Sequence, residues 1–319
     1  MTRRTTLLLG AGASRGVSYA DKRSIQSPLD SDFFELLQKV EAKEKDEAAV
    51  SELIQWILAA DNPIWNSMER TFYTLYLRAR MQEVLFPAEP LEGSVERLLN
   101  CFTRAVDTLL RKAHGTQSCE HHVKLVERMK SSDTVVTFNY DLVVERTLKE
   151  LPSMPSFGSW IYGFASKPDN AEKVPALYKL HGSVNWIYKD GSGTFKVRQE
   201  KWSDFDDEPG YRSHSGFAIM LPYWDKKIEE QPWSDIWARA AARLHKSSRL
   251  IVWGYSLPLT DLKALELMKL SLGRGCLEDV CVIDPSGEIR TRWRAMFPRQ
   301  RFWPYENVEE FLVNPPTWW

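Results

Sequence analysis

From residue 131 onward the chain alternates short apolar runs with segments of helical period, and that alternation leaves few folds open. The runs are Thr134 to Phe138, Ala176 to Leu180, Phe217 to Leu221, Leu250 to Trp253 and Val280 to Ile283, with Thr5 to Leu9 ahead of them near the amino terminus. Helical patterns follow most of them, at Leu142 to Leu151, Ile236 to His245 and Leu262 to Leu272. Strands that alternate with helices imply an α/β fold whose parallel sheet is covered on both faces. Between the first strand and the second, residues 32–130 read as helical. The clearest case is "SVERLLNCFTRAVDTLLRKAHG", where Val95, Leu98, Leu99, Phe102, Val106, Leu109 and Leu110 keep helical spacing, Ser94 is a start signal and Gly115 a stop. Similar patterns cover Glu52 to Ala60 and Met68 to Leu85. The expected organisation is a core from residues 1–31 and 131–319, with 32–130 as a helical module inserted after the first strand. Asp190 to Gly216 is polar and turn-rich, which predicts a hairpin and loop.

Composition narrows the partners. The chain has 319 residues, enough for a large core, and its 42 Lys+Arg against 43 Asp+Glu give a net charge of -1. No global field draws it to nucleic acid or to a membrane surface. Arginines 290, 292, 294, 299 and 301 form a local basic run that reads as a solvated face or subunit contact, so direct nucleic-acid binding is not expected. The start, "MTRRTTLLLGAGAS", has an apolar stretch of only Leu7 to Leu9, too short for a signal or a spanning helix. Cys101, Cys119, Cys276 and Cys281 contain no C-x-x-C pair, so no metal site is expected and buried thiols in a reducing cytoplasm fit better.

Polar residues gather where strands end, the place where open α/β sheets bind ligands. After the first strand, "GAGAS" sets Gly10 and Gly12 in a turn that suits either a pyrophosphate or no ligand at all; Arg15 stands where a dinucleotide fingerprint has its third glycine. "TFNYD" places Asn139 and Asp141 between a strand and a helix, and Asp141 is also a helix cap. "LHGSVNW" exposes His181, a general-base candidate or a structural histidine. His114, His121 and His122 fall near helix ends, where a solvated or capping role is expected. "GYSLPLTD" offers Gly254 and Ser256 to a phosphate or ribose, then Thr260 or Asp261 as a cap. Asp284 ends "VCVIDPSGE" as a ribose ligand or an Asp-Pro turn.

The order of these motifs, together with the helical insertion, resembles the sirtuin superfamily, and more closely its branch of bacterial sirtuin-like NAD-consuming defence proteins. The resemblance runs from Leu7 to about Asp284. It implies a Rossmann-like fold in which "GAGAS" (Gly10, Ala11, Gly12, Ser14) cradles phosphate and the loop Ser27 to Phe34, with Asp32 and Phe33, covers the cofactor. Asn139 positions an attacking water, Asp141 faces the nicotinamide carboxamide and His181 is the base. The same resemblance implies that Gly254 and Ser256 hold the phosphate or the adenine-side ribose, with Asp284 nearby. Classical sirtuin deacylases carry a zinc ribbon with two C-x-x-C pairs after this histidine, and the chain has no cysteine between His181 and Gly254. The resemblance therefore implies hydrolysis of NAD to nicotinamide and ADP-ribose without a metal. A protein deacylase or ADP-ribosyltransferase and a silent NAD or ADP-ribose binder are the competing readings. It also implies a homo-oligomer, or activation by a partner such as a HerA-type ATPase or a short Argonaute. The helical insertion and the Trp-rich tail are the candidate contact surfaces, unless the tail aromatics only seal the core.

Overall fold

The computed structural model describes residues 3–40, 67–85, 94–171, 173–189, 194–197, 217–220 and 228–319. In chain order the strands are β1 (Thr5–Leu9), β2 (Thr134–Thr137), β3 (Ala176–Lys179), β4 (Gly182–Lys189), β5 (Thr194–Val197), β6 (Phe217–Ile219), β7 (Arg249–Trp253), β8 (Asp279–Ile283) and β9 (Arg301–Tyr305). The α-helices are α1 (Ala11–Arg15), α2 (Phe33–Lys39), α3 (Met68–Leu85), α4 (Ser94–His114), α5 (Glu120–Val126), α6 (Val143–Lys149), α7 (Trp233–His245), α8 (Leu262–Ser271), α9 (Gly287–Met296) and α10 (Val308–Val313).

Six strands form one parallel sheet in the order β3-β2-β1-β7-β8-β9, flanked by helices: the α/β, Rossmann-like arrangement. β1 lies in the middle, and every one of its residues is buried, as a strand covered on both faces must be. Leu7, Leu8 and Leu9 are at most 1% exposed, and such side chains contribute roughly 1.5–3 kcal/mol each on full burial. On the edge, β9 carries Pro304, which removes a donor where no further strand needs one.

One sequence expectation is corrected, and two segments that the sequence left open take definite form. Phe217 to Leu221 is not a strand of the parallel sheet: β6 pairs antiparallel with β4 in a separate three-stranded sheet, β5-β4-β6. The segment after His181 is itself a strand, β4, with Val184 and Trp186 fully buried. The Trp-rich tail supplies β9 and α10, where Trp319 lies 6.2 Å from the Phe311 ring and Trp303 Nε1 donates to Asp279. In the basic run, Arg292 pairs with Glu288, Arg301 with Asp279, and Arg294 covers the Phe302 ring. The predicted helix Glu52 to Ala60 and most of the polar segment 190–216 lie outside the described residues.

The helical segment has its own hydrophobic cluster. Phe33, Phe34, Leu37, Phe72, Phe102, Val106 and Leu109 pack together and rest on Leu142, Val184 and Ile219 of the sheet region. By contrast, α5 contributes Leu125 and Val126 to the main core, so the packing change falls before Glu120.

What locks the centre of the sheet is the meeting of two turns. Gly254, just past β7, has φ +63, and a Cβ there would lie 2.2 Å from Ala13 N. A Cβ on Gly10 would lie 2.5 Å from Gly254 O. Gly254→Ala is therefore expected to cost at least about 2 kcal/mol in urea unfolding, through both strain and collision. Gly287→Ala, whose Cβ would come no nearer than 3.7 Å to a neighbour, is the control expected to change stability by less than about 0.5 kcal/mol. Equal midpoints for the two variants would disprove the interlock.

Candidate functional site

The carboxyl ends of β1, β2, β7 and β8 open into a cavity of about 700 Å³, within the range of small-molecule sites. Its wall includes Ala11, Gly12, Ser14, Phe33, Asn139, Asp141, His181, Gly254, Ser256 and Asp284. The structure thus gathers around one space residues more than 270 positions apart in the chain. Gly10 and Asp32 are the two sequence candidates not on that wall. Gly10 is packed under Gly254 and Tyr255, while Asp32 accepts from Leu29 N at 2.8 Å and pairs with Arg15 at 2.5 Å.

At the end of β2, side chains are set in a directed chain of hydrogen bonds. Asn139 Nδ2 donates to Gly10 O and to Ser14 Oγ, each at 2.8 Å. Because Gly10 O can only accept, the amide nitrogen must face it, and Asn139 Oδ1 is the atom left for an occupant of the cavity. Ser14 Oγ in turn donates to Asp141 Oδ2 at 2.6 Å, and Asp141 Oδ1 accepts from Val143 N at 2.9 Å. Asp141 therefore accepts both the first amide of α6, from its place just before the N-cap residue Leu142, and the hydroxyl of Ser14. Burial alone would raise its carboxyl, but His114, Lys179 and the two hydrogen bonds hold it below the ordinary value.

Below this turn lies a buried ion pair that periodicity could not disclose. Lys179 Nζ bonds Asp141 O and sits 2.8 Å from Glu145 Oε1, with side-chain exposures of 1% and 0%. Tyr162 OH donates to the same carboxylate at 2.8 Å, and Asn185 Nδ2 donates to Tyr162. Lys179 reads as the last residue of an apolar strand; only its type, a charge in a buried run, marked it.

His181 lines the same cavity, its ring between Phe138 and Tyr140 at centroid distances of 4.9 and 6.3 Å. Its Nε2 is 2.9 Å from Asp261 Oδ2, with the carboxylate side chain only 2% exposed. The ring is wedged by Phe138, 4.9 Å away edge-on, and Phe138 stacks on Tyr255 at 4.3 Å. Asp261 also caps α8 by accepting from Ala264 N, the role the sequence suggested for it. Its pairing with His181, eighty residues away, had no local signal. A carboxylate 2.9 Å from one ring nitrogen restricts the orientation of the imidazole.

On the rim, Asp284 Oδ1 accepts from Ser286 N at 2.9 Å, an Asp turn, and burial pushes its carboxyl up. Arg15 Nη1 donates to Ser27 O at 2.7 Å, so Arg15 ties the segment Ser27 to Asp32 to α1. Cys276 is exposed, contrary to the expectation of buried thiols, whereas Cys101, Cys119 and Cys281 are buried. His114 and His122 are likewise not solvated but 0% and 1% exposed.

Comparison with protein-family models and with curated proteins gives no match. Solved structures of Sir2 proteins align along most of the chain at low similarity. A mutant Sir2 homologue in complex with ADP-ribose is 13% identical, covering 97% of this chain and 88% of its own, with TM-score 0.46. A structure described under the mechanism and regulation of Sir2 enzymes is 11% identical over 97% and 90%, with TM-score 0.45. Sir2Tm bound to a propionylated peptide is 15% identical over 98% and 91%, with TM-score 0.44. Scores of this size do not establish an activity.

His114 yields a pH prediction. It bonds Tyr19 OH at 3.0 Å and Ser27 Oγ at 3.1 Å, and burial pushes its imidazole down to about 4. The unfolded chain binds that proton near pH 6.5, so the folded state is favoured in full above 6.5 and loses this stabilisation as pH falls toward 4. The total is about 3 kcal/mol. Urea midpoints between pH 7.5 and 4.5 are expected to fall less steeply for His114→Gln than for wild type; parallel slopes would refute the assignment.

Proposed function

We propose that this chain is an NAD hydrolase that cleaves the nicotinamide–ribose bond to give nicotinamide and ADP-ribose. The observation that carries the reading is the convergence of Asn139 and the His181–Asp261 pair on one cavity, in the motif order that resembles sirtuin-like NAD-consuming proteins.

The chemistry suits these groups. Nicotinamide in NAD is already cationic, so it departs as a neutral molecule and takes the bonding electron pair without a general acid. The transition state is oxocarbenium-like, and what the protein must supply is a positioned water and an acceptor for its proton. Asn139 Oδ1, held by the two donations from its amide, accepts from that water or from a ribose hydroxyl. His181 takes the proton, and Asp261 stabilises the resulting imidazolium. Ser14 and Asp141 keep Asn139 in place; the Ser27 to Phe34 segment limits water entry.

The wider role rests on the sequence resemblance: an NAD-depleting effector of bacterial anti-phage defence, active as an assembly or with a partner such as a HerA-type ATPase or a short Argonaute. Free NAD hydrolysis would poison the host, which makes such control a requirement of the reading.

Purified protein incubated with NAD, alone and with its genomic neighbour's product, is expected to release nicotinamide and ADP-ribose, identified by mass. Asn139→Ala and His181→Ala are each expected to lower kcat by at least about 100-fold, and Asp261→Asn by about the same with little change in KM. Full turnover in Asn139→Ala or His181→Ala would remove the mechanism. Product formed only with an added peptide or protein acceptor would point instead to a deacylase or ADP-ribosyltransferase.

A further inference from the structure

We infer that Arg15 is the pyrophosphate-binding residue of this cavity, and that the same guanidinium couples anion binding to the Ser27 to Asp32 segment. The inference deepens the dinucleotide reading above and rests on it.

Four observations lead there. First, the glycine turn is poorly placed to serve as an amide cradle: Gly10 N donates to Trp253 O at 3.1 Å and Gly12 N to Gly254 O at 2.9 Å. Those two N–H groups are spent on the interlock of the turns, so a phosphate needs another partner. Second, Arg15 is the one lysine or arginine among the described residues that line the cavity, facing a wall that includes Asp30, Glu69, Asp284, Glu306 and Glu309. A dianionic pyrophosphate entering among those carboxylates is repelled unless a fixed cation offsets them. Third, Arg15 ends α1, the short helix that follows β1, next to the point where the sheet order β3-β2-β1-β7-β8-β9 reverses direction. Ligands of open α/β sheets bind at that switch point.

Fourth, the guanidinium has donors to spare. Arg15 gives Nη1 to Ser27 O at 2.7 Å and Nη2 to Asp32 at 2.5 Å, while 27% of its side chain stays exposed. A guanidinium has five N–H groups in a planar fork, a shape that matches phosphate oxygens two at a time. It can therefore keep the segment and take the anion together. Lysine, a point charge with one nitrogen, cannot span both.

The test is calorimetric binding of ADP-ribose and of inorganic pyrophosphate to the full chain, for wild type, Arg15→Ala, Arg15→Lys and Asp32→Asn, with melting curves to verify folding. Arg15→Ala is expected to weaken ADP-ribose by about 10- to 100-fold, the loss typical of charge-assisted hydrogen bonds, with Arg15→Lys intermediate. Asp32→Asn leaves the guanidinium in place and removes its competitor, so affinity is expected to hold or rise. This second variant carries the test if Arg15→Ala does not fold. Wild-type affinity in Arg15→Ala, a loss in Asp32→Asn as large as the alanine variant's, or no binding of either probe to wild type overturns the assignment. Arg15-dependent binding of pyrophosphate by a protein that leaves NAD intact would instead sink the hydrolase reading and keep the anion site.

Discussion

The site depends on two turns that nest without side chains between them. The turn after β1 and the turn after β7 approach so closely that a Cβ on Gly12 would lie 2.7 Å from Gly254 Cα. That contact aligns the exits of the two central strands, and the groups that line the cavity hang from them. Ser14 leaves from the first turn, and from the second come Tyr255, the strained Leu257 at φ 52, and Asp261. Because Asp261 both caps α8 and lies 2.9 Å from the His181 ring, a slip of the β7 turn would disturb the histidine as well. The glycines are thus an architectural requirement before they are a chemical one. It is this demand that uses up the amides of Gly10 and Gly12.

The second constraint is energetic. A fully buried lysine–glutamate pair adds little net stability, since desolvation cancels most of its Coulomb attraction, but removing one partner costs about 3–5 kcal/mol. Lys179 and Glu145 are so placed that this cost enforces geometry. The ammonium bonds the Asp141 main-chain oxygen, and Glu145 collects Lys179 and Tyr162. Asp141 can then turn its carboxylate to Ser14 and the α6 amide, and Ser14 can direct Asn139. An apolar core would have left the Asn-Tyr-Asp turn with several near-equal conformations. Here each donor meets an acceptor in one order only.

Alternation of short apolar runs with helical periods sufficed to read the parallel sheet, because the buried runs Leu7 to Leu9, Val135 to Val136 and Leu250 to Trp253 are too short and too apolar for anything else. It failed at Phe217, where three residues of apolar sequence carry no information about which sheet they join; only their partner β4 decides it. β4 and β9 escaped because Gly182, Asn185 and Pro304 break the run of strand-forming residues. The lining of the cavity was legible where polar residues and strand exits coincide, at Asn139, Asp141 and His181. What was illegible is pairwise: Asp261 with His181, Arg15 with Asp32, Lys179 with Glu145. Each partner reads innocently in its own segment, as a cap, a replaced glycine or the end of a strand, and acquires its role only when the fold brings the other close.

The helical segment is tied to the cavity by the same kind of long-range contact. Asp30, in the segment that borders the cavity, accepts from Met68 N through its main-chain oxygen and from Glu69 N through Oδ1, both at 2.8 Å, and so caps α3. Glu69 then accepts a hydrogen bond from Thr260, the residue before Asp261. At the other end of the module, His114 closes α4 against Ser27. The segment that borders the cavity is therefore held by α4 at Ser27, by α3 at Asp30, and by Arg15 at both Ser27 and Asp32. Hydrogen bonds of this kind are worth about 1 kcal/mol each, so the helices and the segment share a conformational balance of a few kcal/mol. That is the size of free energy a bound partner supplies when it shifts a population between two states. Any force that moves α3 along its axis acts on Asp30 and Thr260 together, and so on both the cover of the cavity and the carboxylate that aims its histidine.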